Sequence, residues 1–358
     1  HVSLVGSEMC IRDRFNLFCI LLFTCPAIFL LKEKNKDIGM NIIILLLVIL
    51  ILIYGSFYKN KYNSLANKNL NYKLRIIGSN VELNRFYQNV DSISIIEELI
   101  KISKPNLNDK TIFVWPEGIL PEISQESLNE YKWLFNEKFS ENHLVIIGMN
   151  TRTIINNSEN YFNSLSLYDN DLNLLSSYNK MNLVPFGEFL PFETFLKNIG
   201  LRSLTNNYQS FSSGNKREII EINKQNFSLK ILPLICYEII YSGKLFSKSN
   251  FDLIINISED GWFGKSIGPK QHFTHSIFRA LESGKYVVRS SNNGKAAIVN
   301  PLGIVEQSVK FGQSGFIDLT STKKIQPTIF SQYGNKIFVL LILMYIVLIL
   351  LLNKKKNE

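Results

Sequence analysis

Hydrophobic and polar positions divide this chain into three apolar stretches and one long region of alternating character. Phe15 to Leu31, Asn41 to Ile53 and Ile337 to Leu352 are apolar at most positions and carry almost no charge. Each reads as a membrane segment. Their lengths sit at or below the roughly 17–25 residues that span a bilayer, so a buried helix or a signal-type segment fits the same pattern. The second lengthens through Tyr54 to Tyr58. The third is flanked by Tyr333 and Lys336 on one side and by Lys354, Lys355 and Lys356 on the other.

Between the second and third stretches, after a polar, Asn-rich passage from Lys59 to Tyr72, short β-branched runs alternate with amphipathic segments, which predicts an α/β domain. Strands are expected at Leu74 to Gly78, Thr111 to Trp115, Leu144 to Met149, Ser164 to Tyr168, Leu229 to Ile235, Leu253 to Ile257, Tyr286 to Ser290 and Ala296 to Asn300. Helices are expected at Val90 to Ser103, where Ile93, Ile96, Leu99 and Ile100 share a face, and at Ser127 to Phe139, Ile239 to Ser247 and Lys270 to Ser283. Pro269 suits the first turn of the last helix. No internal repeat is visible, and the abundance of Asn and Lys suggests an AT-rich genome rather than a low-complexity function.

With 358 residues, 46% of them hydrophobic, the chain exceeds one ordinary domain and can supply a core and membrane segments together. Basic residues beside a span resist translocation, and both the loop Lys32 to Lys36 and the tail Lys354 to Lys356 are basic. Placing both in the cytoplasm requires an even number of spans between them. The second and third stretches provide it, and the region 59–332 then lies outside. The net charge of +9 reflects these anchors and also Lys59, Lys61, Lys68, Lys73 and Arg75. A basic face beside anionic headgroups accounts for them more economically than nucleic-acid binding. His1 to Arg14 begins without Met, matches no targeting pattern and reads as a junction foreign to the fold, so a fragment lacking its natural start is expected.

Cys10, Cys19 and Cys25 lie in or before the first apolar stretch, which leaves Cys236 as the only cysteine of the large region. Such a residue is either a small buried hydrophobe or a reactive thiol. Three motifs stand at the ends of predicted strands, where open α/β sheets present reactive groups. Phe113-Val114-Trp115-Pro116-Glu117-Gly118 runs a buried-looking strand into a Pro-fixed turn at Glu117, equally a plain turn with a solvated carboxylate. From Tyr178 to Pro191, Lys180 and Glu188 stand among Val, Pro and Phe, where charges are paired or used unless the segment is a surface loop. Leu232-Pro233-Leu234-Ile235-Cys236-Tyr237-Glu238 leads a strand to a thiol. A carboxylate can take a thiol proton, and a lysine ammonium can stabilise the thiolate and a later oxyanion. All three motifs in this order make a strong signal.

These residues resemble the nitrilase, or carbon-nitrogen hydrolase, superfamily with its Glu-Lys-Cys triad, and within it the apolipoprotein N-acyltransferase family. Trp115-Pro116-Glu117, Tyr178-Asn179-Lys180, Leu183 to Glu188, Ile235-Cys236-Tyr237-Glu238, Asn256 to Pro269, Gln271-His272-Phe273 and Arg289 to Gly294 carry the likeness, over about residues 40–352. The resemblance implies a nitrilase-like four-layer α-β-β-α sandwich with flanking transmembrane helices. It implies Glu117 as general base, Lys180 as stabiliser of the tetrahedral intermediate and Cys236 as nucleophile. Glu188, Tyr237 and Glu238 are implied as supporting positions, and Trp262 as shaping the acyl or lipoprotein pocket unless it is core packing.

The implied reaction is the last step of lipoprotein maturation. Cys236 takes an acyl chain from a phospholipid as a thioester, and the N-terminal amine of a diacylglyceryl-cysteine lipoprotein accepts it. A multi-pass, monomeric enzyme of the bacterial inner membrane with a periplasmic catalytic domain is implied. The corresponding layout is a junction at 1–14, two transmembrane helices at 15–58, the catalytic domain at 59–332 and a third helix with basic tail at 333–358. The family carries more spans than this chain, so the front of the membrane domain is expected to be missing, and Glu259 stands where the family often has Asn. No cofactor or metal is expected: Gly-rich phosphate loops are absent, and His272 and His275, spaced i, i+3, have no evident third ligand and read as packing or surface residues. A small-amide hydrolase would share the triad without needing the flanking spans, and a non-enzymatic membrane module would not need the triad.

Overall fold

A computed structural model describes residue 20 and residues 36–88, 90–155, 158–191, 210–224, 227–243, 250–336, 338–340, 342, 343, 346, 347 and 350. The first apolar stretch, apart from residue 20, the N-terminal junction and the basic tail lie outside the described residues.

The chain divides into two compact units, residues 1–66 and 67–358. In the first, helix α1 (Lys36–Ser64) contains the second apolar stretch. Its part Leu45–Ser64 is long and apolar enough to cross a membrane, and side chains such as Leu45, Leu50 and Leu52 are exposed.

The second unit is an α/β domain. Its strands are β1 (Lys68–Ser79), β2 (Thr111–Val114), β3 (Leu120–Ser124), β4 (His143–Ile155), β5 (Ser158–Asp169), β6 (Leu174–Asn179), β7 (Ile220–Lys224), β8 (Phe227–Ile235), β9 (Leu253–Glu259), β10 (Val287–Asn292), β11 (Ala297–Val299), β12 (Val305–Ser308) and β13 (Gly315–Thr322). The main hydrogen-bonded path runs β6-β5-β4-β2-β1-β10-β9-β8-β7. One half, β6 to β1, joins the other, β10 to β7, through only two register pairs, Gly78 with Ser291 and Ser79 with Asn292, at the C-terminal ends of β1 and β10.

Side-chain alternation explains how the halves stack. Leu74 and Ile76 of β1, Ile112 and Val114 of β2 and Leu144 and Ile146 of β4 share one core with Leu229 and Ile231 of β8 and Leu253, Ile255 and Ile257 of β9. The intervening Ile77, Phe113, Val145 and Ile147 point the other way, into a core with Ile95, Ile96, Leu99 and Ile100 of helix α2 (Ser92–Ser103) and with Leu134 and Phe135 of helix α3 (Lys132–Asn136). Leu232, Leu234 and Ile254 form a third core with Phe273 and Ala280 of helix α4 (Gly268–Ser283). Helix, sheet, sheet, helix is therefore the order of layers. Strands buried on both faces read as continuous apolar runs, which is why β2, β4, β8 and β9 stood out in the sequence.

Local signals set the helix ends. The Asp91 side chain accepts from the Ile93 N–H at the start of α2. Pro269 occupies the first turn of α4, and Gly284, with φ of 65°, closes it. Two expected helices differ. Ser127 to Phe139 is a 3-10 turn (Ser127–Tyr131) followed by the short α3. In place of a helix from Ile239, a 3-10 turn occupies Cys236–Ile240, and residues 244–249 lie outside the described residues. A last short helix, α5 (Ile329–Tyr333), is capped by Thr328.

Candidate active site

Glu117, Lys180 and Cys236 follow β2, β6 and β8 respectively, and those strands run in the same sense, so the three residues collect at one edge of the domain. The turn carrying Glu117 lies against β4 because residue 148 is glycine: a Cβ there would stand 2.5 Å from the Glu117 Cα.

Lys180 is buried and reaches two carboxylates, its Nζ 2.7 Å from Glu188 Oε1 and 3.3 Å from Glu117 Oε1. Asn163 donates to the same two oxygens, at 2.7 Å to Glu117 and 2.9 Å to Glu188. Backbone N–H groups occupy the other carboxylate oxygens, Glu259 N to Glu117 Oε2 and Val184 N to Glu188 Oε2, both at 2.8 Å. Burial works against the charge on Lys180, but the Glu188 and Glu117 carboxylates outweigh it and lift its pKa above the ordinary lysine value.

Cys236 adopts φ of 46°, the left-handed region, at the point where β8 turns into its 3-10 turn. A non-glycine residue held there costs about 1–3 kcal/mol and persists only where its surroundings enforce it. Burial pushes the thiol pKa well up, the Glu117 charge pushes it further, and Lys180 opposes both. A neutral thiol is therefore the resting form. Moving the proton from sulfur to Glu117 leaves the summed charge of the site unchanged.

Glu238 ties the turn at Cys236 to the lysine loop. Its Oε1 accepts from Tyr178 Oη (2.8 Å), the Met181 and Asn182 N–H groups (3.0 Å each) and Arg217 Nη2 (2.8 Å), while Oε2 accepts from the Ile235 N–H at 3.0 Å. It is fully buried, which fits a scaffold and leaves no face for substrate. Tyr237 is half-buried with its ring edge-on to Tyr241, and burial pushes its hydroxyl up to about 12. Trp262 is 52% exposed and packs against Phe86 with centroids 4.9 Å apart and ring planes tilted by 44°, so core packing does not describe it.

Sequence reasoning missed several partners. Asn163 fell just outside the strand expected from Ser164. Arg85 forms a buried ion pair with Glu259, whose carboxylate also accepts from Asn292 and Asn293, so this glutamate comes with its own cation. His272 and His275 are buried, against the surface alternative, and His272 joins Asp260 and Arg289 in a polar network.

The carbon-nitrogen hydrolase family profile matches residues 96–327. An apolipoprotein N-acyltransferase of Bradyrhizobium diazoefficiens is 29% identical over 277 residues, covering 74% of this chain and 50% of that protein. One of Rickettsia prowazekii is 35% identical over 255 residues, covering 68% and 48%. The chain thus spans about half the length of the curated relatives it matches. Among solved structures, a Nesterenkonia amidase of the nitrilase superfamily aligns over 72% of this chain and 94% of its own at 11% identity, with a TM-score of 0.45.

Proposed function

Because this chain belongs to the carbon-nitrogen hydrolase family, we propose that it is the catalytic portion of a membrane-bound N-acyltransferase that acylates lipoproteins through a thioester on Cys236. The observation that carries this reading is the convergence of Lys180, Glu117 and Glu188 at the edge where Cys236 is held in a left-handed turn. The similar curated proteins, named as apolipoprotein N-acyltransferases, and the apolar helix α1 support the choice of acyl transfer at a membrane over hydrolysis of a small amide.

Glu117 takes the Cys236 proton as sulfur attacks the ester carbonyl of a phospholipid, and Lys180 stabilises the oxyanion. As the intermediate collapses, the lysophospholipid oxygen leaves with the proton from Glu117, and the acyl group stays as a thioester. The amine of a diacylglyceryl-cysteine at a lipoprotein N-terminus then attacks, Glu117 takes its proton, and the proton returns to the departing thiolate. Glu188 keeps Lys180 charged throughout, Glu238 and Tyr237 support the nucleophile's turn, and Trp262 borders the acyl or lipoprotein pocket. No cofactor enters these steps. Helix α1 and the C-terminal apolar run act as anchors in the bacterial inner membrane. The chain works as a monomer with residues 59–332 on the periplasmic side.

The test is mass spectrometry of the protein purified from phospholipid-containing membranes. A fatty-acyl mass on the Cys236 peptide, released by neutral hydroxylamine and missing in Cys236→Ala, is expected. Its absence both here and from a longer version bearing further spans, with hydrolysis of a small amide in its place, overturns the reading.

A further inference from the structure

The nucleophile is gripped from a side that the acyl-transfer scheme does not use. His272, on the first turns of α4 and 1% exposed, places Nε2 3.1 Å from the Cys236 carbonyl oxygen. A carbonyl only accepts, so Nε2 carries a proton and donates. On the far side of the ring, Nδ1 lies 2.8 Å from Asp260 Oδ1 and 3.0 Å from Arg289 Nη2. Asp260 is fully buried and accepts from Arg289 with both oxygens, at 2.8 and 2.9 Å, from Ser258 Oγ at 2.9 Å and from Ser291 Oγ at 3.0 Å. Although burial opposes its charge, Arg289 and His272 hold the Asp260 carboxyl well below the usual range, so the anchor is ionised. The Phe263 ring, 5.4 Å away, closes a face of the imidazole.

We propose that His272 is a positioning residue for the nucleophile: its Nε2–H holds the Cys236 carbonyl and so keeps that residue in the left-handed conformation from which the thiol meets the charges of Glu117 and Lys180. Two observations converge on this. Cys236 is a non-glycine residue at φ of 46° that needs an external restraint, and the carbonyl of that same residue is the atom His272 holds. Among the described hydrogen bonds His272 reaches neither Glu117, Lys180 nor Glu188, so its influence passes through Cys236. The restraint complements Glu238, which holds the same turn from the β6 side. The inference rests on Cys236 being the nucleophile, as proposed above.

Two variants of similar polarity separate positioning from simple packing. In His272→Gln the side-chain amide nitrogen reaches about where Nε2 stands and can still donate to the Cys236 carbonyl; in His272→Asn it stops near the Nδ1 position and cannot. The readout is the rate of Cys236 alkylation by iodoacetamide in the full chain, followed on the Cys236 peptide, with thermal melting measured on both variants. The Gln variant is expected to stay within about threefold of the parent and the Asn variant to fall at least about tenfold, as for a reacting group displaced by a fraction of an ångström. Equal rates in the two variants, a tenfold loss in the Gln variant, or failure of that variant to fold each overturn the proposal. Iodoacetamide requires neither lipid nor acceptor, so a parent chain that alkylates normally yet forms no acyl adduct counts against the acyltransferase reading and not against this one.

Discussion

Asn163 donates to both carboxylates that flank Lys180, standing 2.7 Å from Glu117 Oε1 and 2.9 Å from Glu188 Oε1. One side-chain amide thus fixes the spacing of two like charges around a single cation. Asn163→Ala removes both bonds and lets the carboxylates separate, while Asn163→Asp adds a third negative group. Thioester formation is expected to fall about tenfold to a hundredfold in the first and further in the second, with little change in melting temperature for the alanine variant. Wild-type acylation in Asn163→Asp would show that the spacing does not matter.

The charge on Lys180 is set by a contest. Burial lowers its pKa, and Glu188 first and Glu117 second raise it above the ordinary lysine value of 10.5. A raised lysine contributes fully below 10.5 and loses that contribution only as pH rises through the folded value. Glu188→Gln removes the stronger of the two partners, so burial gains. The alkaline limb of the acylation profile is expected to move to lower pH, and an unmoved limb would show that Glu188 does not sustain the charge.

For Cys236 the pKa also moves up, but there the rise favours the neutral form. Its pKa is raised by burial and then by Glu117, so the thiol is neutral at pH 7 and thiolate appears only above the ordinary thiol range. Glu117→Gln removes a negative neighbour and, on the proposed mechanism, the base. The midpoint of iodoacetamide alkylation is expected to shift to lower pH, while acyl transfer drops by about 10²–10⁴. Parallel changes in both assays would count against a base role for Glu117.

The Arg85–Glu259 pair is buried, each side chain about 1% exposed. Removing one partner strands the other charge, at a cost of about 3–5 kcal/mol. Glu259→Asn alone is expected to destabilise by that order, and the double variant Arg85→Met with Glu259→Asn by clearly less than the sum of the two single changes. Chemical denaturation of the four proteins checks this, and additivity would mean the pair is not coupled.

How much of this was legible follows the burial of each strand. β2, β8 and β9 bury both faces, so their apolar runs marked the ends where Glu117 and Cys236 stand. β6, which delivers Lys180, exposes Leu174 and Leu175 and alternates weakly, so only the motif around Lys180 pointed to it. β5 begins at Ser158, before its apolar run, and the early start brings Asn163 onto the strand. Ile239 and Ile240 open the stretch read as a helix, but the turn at Cys236 spends them on the core beside α4. His272 carried an i, i+3 relation to His275 that invited a metal test, and one of its partners, the Cys236 backbone carbonyl, leaves no mark in a sequence.

The narrow join between β1 and β10 bears on how the protein comes into being. The acid and the ammonium ride on the half synthesised first, the sulfur on the half synthesised later. A ribosome-bound chain that has released β1 to β6 holds the charged groups without the thiol, and the later strands alone hold the thiol without them. Until Gly78 and Ser79 meet Ser291 and Asn292, the thiol stands apart from the charged groups that the closed sheet brings to it.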